Sequence, residues 1–459
     1  MRNSYSKLAY SSLNDFVYGT CPKPVRTKSG LVIGGGTVYP ELNFTLDGMN
    51  VNETTVKETY KTYSEIINDA LKKAKELYAP GVVLEYETLP DFTEHPEWAI
   101  EVNRIIIETM KEYSDKYGLK LALRTTLNDM REMERPPVMR SGRYWDAMLK
   151  GFEGCAKGGA DFLSIESTGG KELHDDALVN AEIKQVIFSL GVLGTRDMKF
   201  LWKNIVDIAE ENNCYAAGDS ACGFANTAMV LAEKGFIPKS FAAVVRVAAF
   251  PRSLVAYEMG AVGPSKDCAY EGPYIKAITG VPIAMEGKTA ACAHFSPIGN
   301  ISAAVADLWS NESVQEIKLL SGMAPTVYME QLIYDCRLMN IAAEKGKILE
   351  FRDFLVDSDK KLDVQAYVLR PDVVFEISKE VIKEKSPFIR TKLAAQLAVE
   401  KIKKAIANNE VQADKRDNRY LDMMAEQIEE IPDDEEKFYH EIKDEINESK
   451  FLPKEYELA

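Results

Sequence analysis

The chain has 459 residues, 46% of them hydrophobic, and 71 Asp and Glu against 56 Lys and Arg give it a formal charge of −15. That length and apolar content build a sizeable buried core. With no basic stripe to release counterions from phosphates, nucleic acid and anionic membrane surfaces are excluded as partners.

From about Val56 one pattern recurs, an amphipathic helix followed by a short apolar strand. Tyr60, Ile66, Ile67, Ala70, Leu71, Ala74 and Leu77 form a helical stripe over 56–78, and Pro80-Gly81 ends it before a strand at 82–87. A second unit predicts a helix over 98–117, a cap at Gly118 and a strand over 119–125. The third has a helix over 144–156 and a strand over 161–166, and the fourth a helix over 198–211 and a strand over 215–219. Such units suit an open doubly wound sheet or a closed eight-stranded β/α barrel. The barrel is expected, because Glu85, Glu87, Arg124, Glu166 and Asp219 all fall at strand carboxyl ends. A barrel gathers those ends at one mouth, and an open sheet spreads them apart.

Residues 226–340 are rich in Ala and Gly throughout, so periodicity separates their helices from their strands poorly. From about Leu349 the chain is Lys/Glu-rich and helical, through to the acidic Pro432-Asp-Asp-Glu-Glu436. The expected organisation is an N-terminal arm over 1–29, a β/α barrel carrying the chemistry over 30–345, and an appended helical region over 346–459. No apolar run approaches the roughly 20 residues that span a bilayer, and the N-terminus lacks an apolar signal segment, so a cytoplasmic protein is expected.

Seven cysteines, odd in number and widely spaced, form no disulfide framework, which leaves reduced thiols available to a metal. Cys21, Cys155, Cys214 and Cys336 read as small buried hydrophobes. Cys222 and Cys268 differ, lying in the glycine-punctuated segments Gly218-Asp-Ser-Ala-Cys-Gly-Phe-Ala-Asn226 and Gly260-Ala-Val-Gly-Pro-Ser-Lys-Asp-Cys268, within reach of a barrel mouth. With Glu166 they resemble a metal site with one position left open for substrate, the mark of a catalytic zinc. No C-x-x-C or H-E-x-x-H is present, so the ligands come from separate β/α units. Cys292 and His294 are a rival pair, two residues apart. His95, His174 and His440 lie in polar or charged runs and read as facing solvent.

Other signatures fail. Glu286-Gly-Lys-Thr289 has Pro282 where a phosphate loop needs its first glycine. Gly34-Gly35-Gly36 is followed by Tyr39 where a dinucleotide fingerprint needs glycine. Serine-enzyme signatures have no match in a strand-turn-helix context.

The loops Leu163-Ser-Ile-Glu-Ser-Thr-Gly-Gly-Lys-Glu172, Ala217-Gly-Asp-Ser-Ala-Cys-Gly-Phe-Ala-Asn-Thr-Ala-Met229, Pro251-Arg-Ser-Leu-Val-Ala-Tyr-Glu258, Gly260-to-Glu271 and Glu286-to-His294 closely resemble the zinc subunit of methanol:corrinoid methyltransferases. The likeness begins near Lys7-Leu-Ala-Tyr10, includes Tyr39-Pro-Glu-Leu-Asn43, Trp309-Ser-Asn-Glu-Ser313 and Tyr334-Asp-Cys-Arg-Leu-Met-Asn340, and thins over the helical tail. The resemblance implies a zinc-bearing barrel, usually dimeric, that passes the methyl group of methanol to a Co(I) corrinoid on a separate subunit. The family's Glu and two Cys ligands fall on Glu166, Cys222 and Cys268. Two departures bear on the donor: Arg124-Thr-Thr126 stands where an Arg-His pattern is expected, and Glu134-Arg-Pro-Pro-Val138 is unusual.

Hydroxide is a poor leaving group, so charge developing on oxygen must be stabilised as the methyl departs. Two thiolates and a carboxylate make zinc a soft Lewis acid, which calls for a nearby hydrogen-bond or proton donor. Asp219 is the first candidate, weighed against a role in fixing a loop, and His294 is the second. None of the four histidines sits in an Asp-x-His-x-x-Gly corrinoid signature, so the cobalt must come on a partner chain. Other readings are the same chemistry on another small methyl donor, a binding barrel without turnover, and a metal-free barrel lyase.

Overall fold

A computed structural model of the chain describes residues 1–46, 51–266, 268–293, 296–314, 317–320 and 322–458. In chain order the main strands are β1 (Thr20–Arg26), β2 (Val32–Gly35), β3 (Tyr39–Thr45), β4 (Val82–Glu87), β5 (Leu121–Asn128), β6 (Phe162–Glu166), β7 (Tyr215–Asp219), β8 (Ala284–Glu286) and β9 (Leu308–Val314), followed by a short hairpin of Lys318–Leu319 and Gly322–Met323. β1 and β2 are an antiparallel hairpin, and β3 to β9 form one parallel sheet in the order β7-β6-β5-β4-β3-β9-β8.

The sheet closes through a stretch too short to be a strand. Val262 and Gly263 donate their amides to the carbonyls of Ala216 and Ala217 in β7 at 2.9 and 2.8 Å. Ser265 then donates to Pro282 O at 3.2 Å and bridges to Ile283, beside β8. Residues 262–265 therefore occupy the remaining place between the edge strands, completing an eight-position β/α barrel. From inside, the Arg124 guanidinium clamps this segment, donating to Pro264 O at 2.9 Å while paired with Glu41 at 2.6 Å.

The interior is layered. Tyr39, Val83, Ala122, Phe162, Ala217, Ala284 and Leu308, near the strand starts, pack against Val25, Leu31 and Ile33, so the β1–β2 hairpin plugs the N-terminal end with apolar side chains. Above this plug the lumen turns polar, with Glu41, Arg124 and Ser164, and then the carboxyl-end residues described below. Polarity at one end only is what an active-site mouth requires of a barrel.

Helices cover the outside as the periodicity predicts. The expected stripe lies on Val56–Glu76, where Tyr63, Ile66, Ile67, Ala70, Leu71 and Ala74 are buried against Leu42, Leu84 and Tyr86. Pro96–Tyr117 ends at Gly118, whose φ of 68° favours glycine and whose amide caps Ser114 O. β5 runs on to Asn128, three residues past the expected end, because Thr126, Leu127 and Asn128 stay in register with Ser164, Ile165 and Glu166 of β6. Arg124 consequently lies in mid-strand, below the mouth.

In the stretch that the sequence left unparsed, Lys239–Met259 is a helix buried from Ser240 to Glu258. Among the described residues it is the one helix long and apolar enough to cross a bilayer, and its apolar window is wholly enclosed by protein. Pro387–Ala407 of the C-terminal region packs along it. One apolar cluster runs from Tyr10 through the barrel's outer face to Leu458.

Candidate metal centre

Glu166 is the last residue of β6. Cys222 opens the helical turn Cys222–Asn226 three residues beyond β7, and Cys268 follows the closing segment 262–265. One ligand atom from each lies within 4.8 Å of the others, and they form the one such group of His, Cys, Asp or Glu among the described residues. The Cys268 thiol donates to Glu166 Oε1 at 2.7 Å. The two cysteine loops are cross-braced: Ser220 Oγ accepts the Ala269 amide at 3.0 Å, and Glu271 Oε1 accepts the Ala221 amide at 2.7 Å and the Ser253 hydroxyl at 2.8 Å. Gly218 leaves room for this packing, since a Cβ there would meet the Tyr257 hydroxyl at 2.3 Å.

Burial and mutual proximity disfavour thiolates at this site. Burial, then the hydrogen bond and charge of Cys222, push the Cys268 thiol well up. The hydrogen bond with Cys268 favours a Cys222 thiolate, but burial together with Glu166 and Glu286 outweighs it and raises that thiol too. A divalent cation held by all three side chains would reverse this balance. The donor set, two sulfurs and one carboxylate oxygen on three separate elements, fits zinc with a coordination position to spare.

Lys266, which sequence reasoning missed, stands beside the set. Its Nζ is 2.9 Å from Glu85 Oε1 and 3.4 Å from Glu166 Oε1, with 1% of the side chain exposed. Thr126 donates to the same Glu85 oxygen at 2.7 Å. The available signal was position: Lys266 lies two residues before Cys268 in one loop.

Asp219 is buried, and its carboxylate is engaged away from the ligand atoms. It accepts the Ser167 amide at 3.1 Å, the Ser167 hydroxyl at 2.7 Å and Trp202 Nε1 at 2.9 Å, with Arg252 Nη1 at 3.7 Å. Arg252 in turn donates to Ser167 O and Oγ at 2.7 and 2.6 Å. One residue on, Thr168 donates its amide at 2.9 Å to Asp129, the partner of buried Arg131. The chain after Glu166 is therefore held at two successive residues.

His174 corrects an expectation. It is fully buried rather than solvent-facing, because its helix, Lys171–Asn180, turns it edge-on to Phe224 with ring centroids 4.9 Å apart. Burial, aided by Lys171 and Arg252, lowers its pKa to about 3. His95 and His440 are exposed as expected. His294 lies outside the described residues, as does the side chain of Cys292. Cys21, Cys155 and Cys336 are buried and Cys214 partly so.

A family model described as the methanol-cobalamin methyltransferase B subunit matches residues 2–457. The chain belongs to this family. Its sequence is 36% identical over 441 residues to the methanol–corrinoid protein co-methyltransferase of Methanosarcina barkeri, covering 95% of this chain and 94% of that one. The fold superposes with a TM-score of 0.93, at 35% identity and 99% coverage of both chains, on the crystal structure of the methanol:cobalamin methyltransferase complex MtaBC from Methanosarcina barkeri. For a methanol-cobalamin methyltransferase B subunit the loop resemblance read from sequence is thus confirmed along the whole chain, the helical tail included.

Proposed function

We propose that the protein transfers the methyl group of methanol to the Co(I) corrinoid of a partner protein, with Glu166, Cys222 and Cys268 as zinc ligands. The observation that carries the metal part is the convergence of these three side chains within 4.8 Å at the barrel mouth. Membership of a methanol-cobalamin methyltransferase family over residues 2–457 supports the reaction.

When bound, zinc supplies a Lewis acid for the departing hydroxyl. The chain's own residues set the geometry in which that happens. Ser220 and Glu271 fix the loops that deliver the two sulfurs. We propose Asp219 as a positioning residue in place of a proton donor. Its oxygens are occupied by Ser167 and Trp202, so it orients the chain immediately after Glu166. The partner bringing the corrinoid must cover the mouth, aligning donor and acceptor and excluding water. A homodimer of this chain as the core of the complex is part of the same reading.

The deciding experiment combines zinc analysis with methylation of a reduced corrinoid partner. One zinc per chain and methanol-dependent methylation support the proposal. Turnover that survives complete removal of metal would sink it.

A further inference from the structure

Two carboxylates at the mouth share one ammonium, yet only one of them joins the thiols. Glu85 Oε1 and Glu166 Oε1 both contact Lys266 Nζ, at 2.9 and 3.4 Å. The cluster of mutually close ligand atoms contains Glu166 and omits Glu85. Glu85 is 1% exposed, so its charge is not dispersed by solvent, and its Oε1 is held from two sides by Lys266 and by the Thr126 hydroxyl at 2.7 Å. Glu166 Oε1 instead receives the Cys268 thiol at 2.7 Å.

Resting on the zinc reading above, we infer that Lys266 is a positioning residue that holds Glu85 out of the metal's coordination shell and so keeps one coordination position open for substrate. A carboxylate is a competent zinc ligand, and a fourth protein ligand converts an open catalytic site into a closed structural one. A buried carboxylate close to a divalent cation will ligate it unless something else satisfies its charge. Lys266 does so within hydrogen-bond reach, and Thr126 fixes the same oxygen. The loop that delivers Cys268 thus also delivers the group that restrains its competitor, two residues earlier. The restraint is therefore made from a hydroxyl and an ammonium together.

The test uses Co(II) in place of zinc in the full-length protein, with imidazole as the probe of an open position, read by the visible spectrum. Wild type should bind imidazole with a spectral shift. Lys266→Met should load Co(II) but bind imidazole roughly tenfold or more weakly, the scale on which outer-shell partners act. Lys266→Met/Glu85→Gln should recover wild-type binding, because the competing ligand is gone. Glu85→Gln alone should bind as wild type, which keeps a folding readout that needs no unpaired buried carboxylate. Unchanged imidazole binding in Lys266→Met overturns the inference, and so does a loss that the second substitution fails to restore. Failure of wild type to take up Co(II) or zinc at all overturns the metal reading itself, a result distinct from either.

Discussion

The hydroxyl of Ser167, the residue after Glu166, donates to Asp219 Oδ2 at 2.7 Å while the Ser167 amide donates to Oδ1 at 3.1 Å. Both contacts lie on the backbone that presents the proposed metal ligand Glu166, and Arg252 closes the triangle from the other side. Asp219→Ala should therefore cost about 3–5 kcal/mol of stability, since it leaves Arg252 buried without its carboxylate, and weaken zinc binding roughly 10–100-fold. Denaturant unfolding and chelator competition measure the two effects. Asp219→Asn with intact zinc affinity but abolished turnover would instead assign Asp219 to proton transfer.

Metal content tests the proposed ligand set. Purified protein is expected to hold about one zinc per chain, and Cys222→Ala and Cys268→Ala each to lose most of it. Zinc bound equally well by both variants would place the metal elsewhere.

The donor is tested by supplying alternatives to a reduced corrinoid partner. Methanol is expected to methylate it. A larger methyl ether working where methanol fails would keep the chemistry and replace the substrate, with Thr126, whose hydroxyl meets Glu85 beside the site, the first place to look for the cause.

Acid sensitivity should trace in part to His174. Burial depresses its pKa from 6.5 to about 3, so between those values the unfolded chain binds a proton that the folded chain does not. Its contribution to stability is complete above about pH 6.5 and falls by about 1.4 kcal/mol per unit as pH drops toward 3. Unfolding of wild type and His174→Leu, compared from about pH 7.5 to 5.5, should show a shallower decline in the variant. Parallel curves would exclude the histidine as the source.

The C-terminal end braces the loop that follows Glu166. Tyr456 is buried and its hydroxyl accepts the Gly170 amide at 3.0 Å, four residues past Glu166, while Glu455 Oε2 accepts the amides of Met139 and Arg140 at 3.1 and 2.9 Å. Tyr456→Phe leaves the Gly170 amide unsatisfied and should cost about 1–3 kcal/mol in unfolding experiments. A neutral substitution would mean that the loop finds another acceptor.

Sequence alone determined the β/α repeat, since helical stripes such as Ile66, Ile67 and Ala70 record their burial in spacing. It also pointed to Glu166, Cys222 and Cys268, because a strand end and two glycine-punctuated loops place side chains at a barrel mouth. Tertiary structure decided what those residues meet. The closing stretch 262–265 carries no strand periodicity, having too few residues to alternate, and only its hydrogen bonds to Ala216, Ala217 and Pro282 reveal it. His174 sits in a charged run yet is buried, because exposure depends on which helix face meets Phe224 and not on the polarity of its neighbours in sequence. Lys266 meets Glu85 across the barrel, and Asp219 meets Ser167 between the neighbouring strands β7 and β6. Contacts between residues so far apart in the chain are fixed by strand pairing and closure of the sheet, which no local pattern encodes.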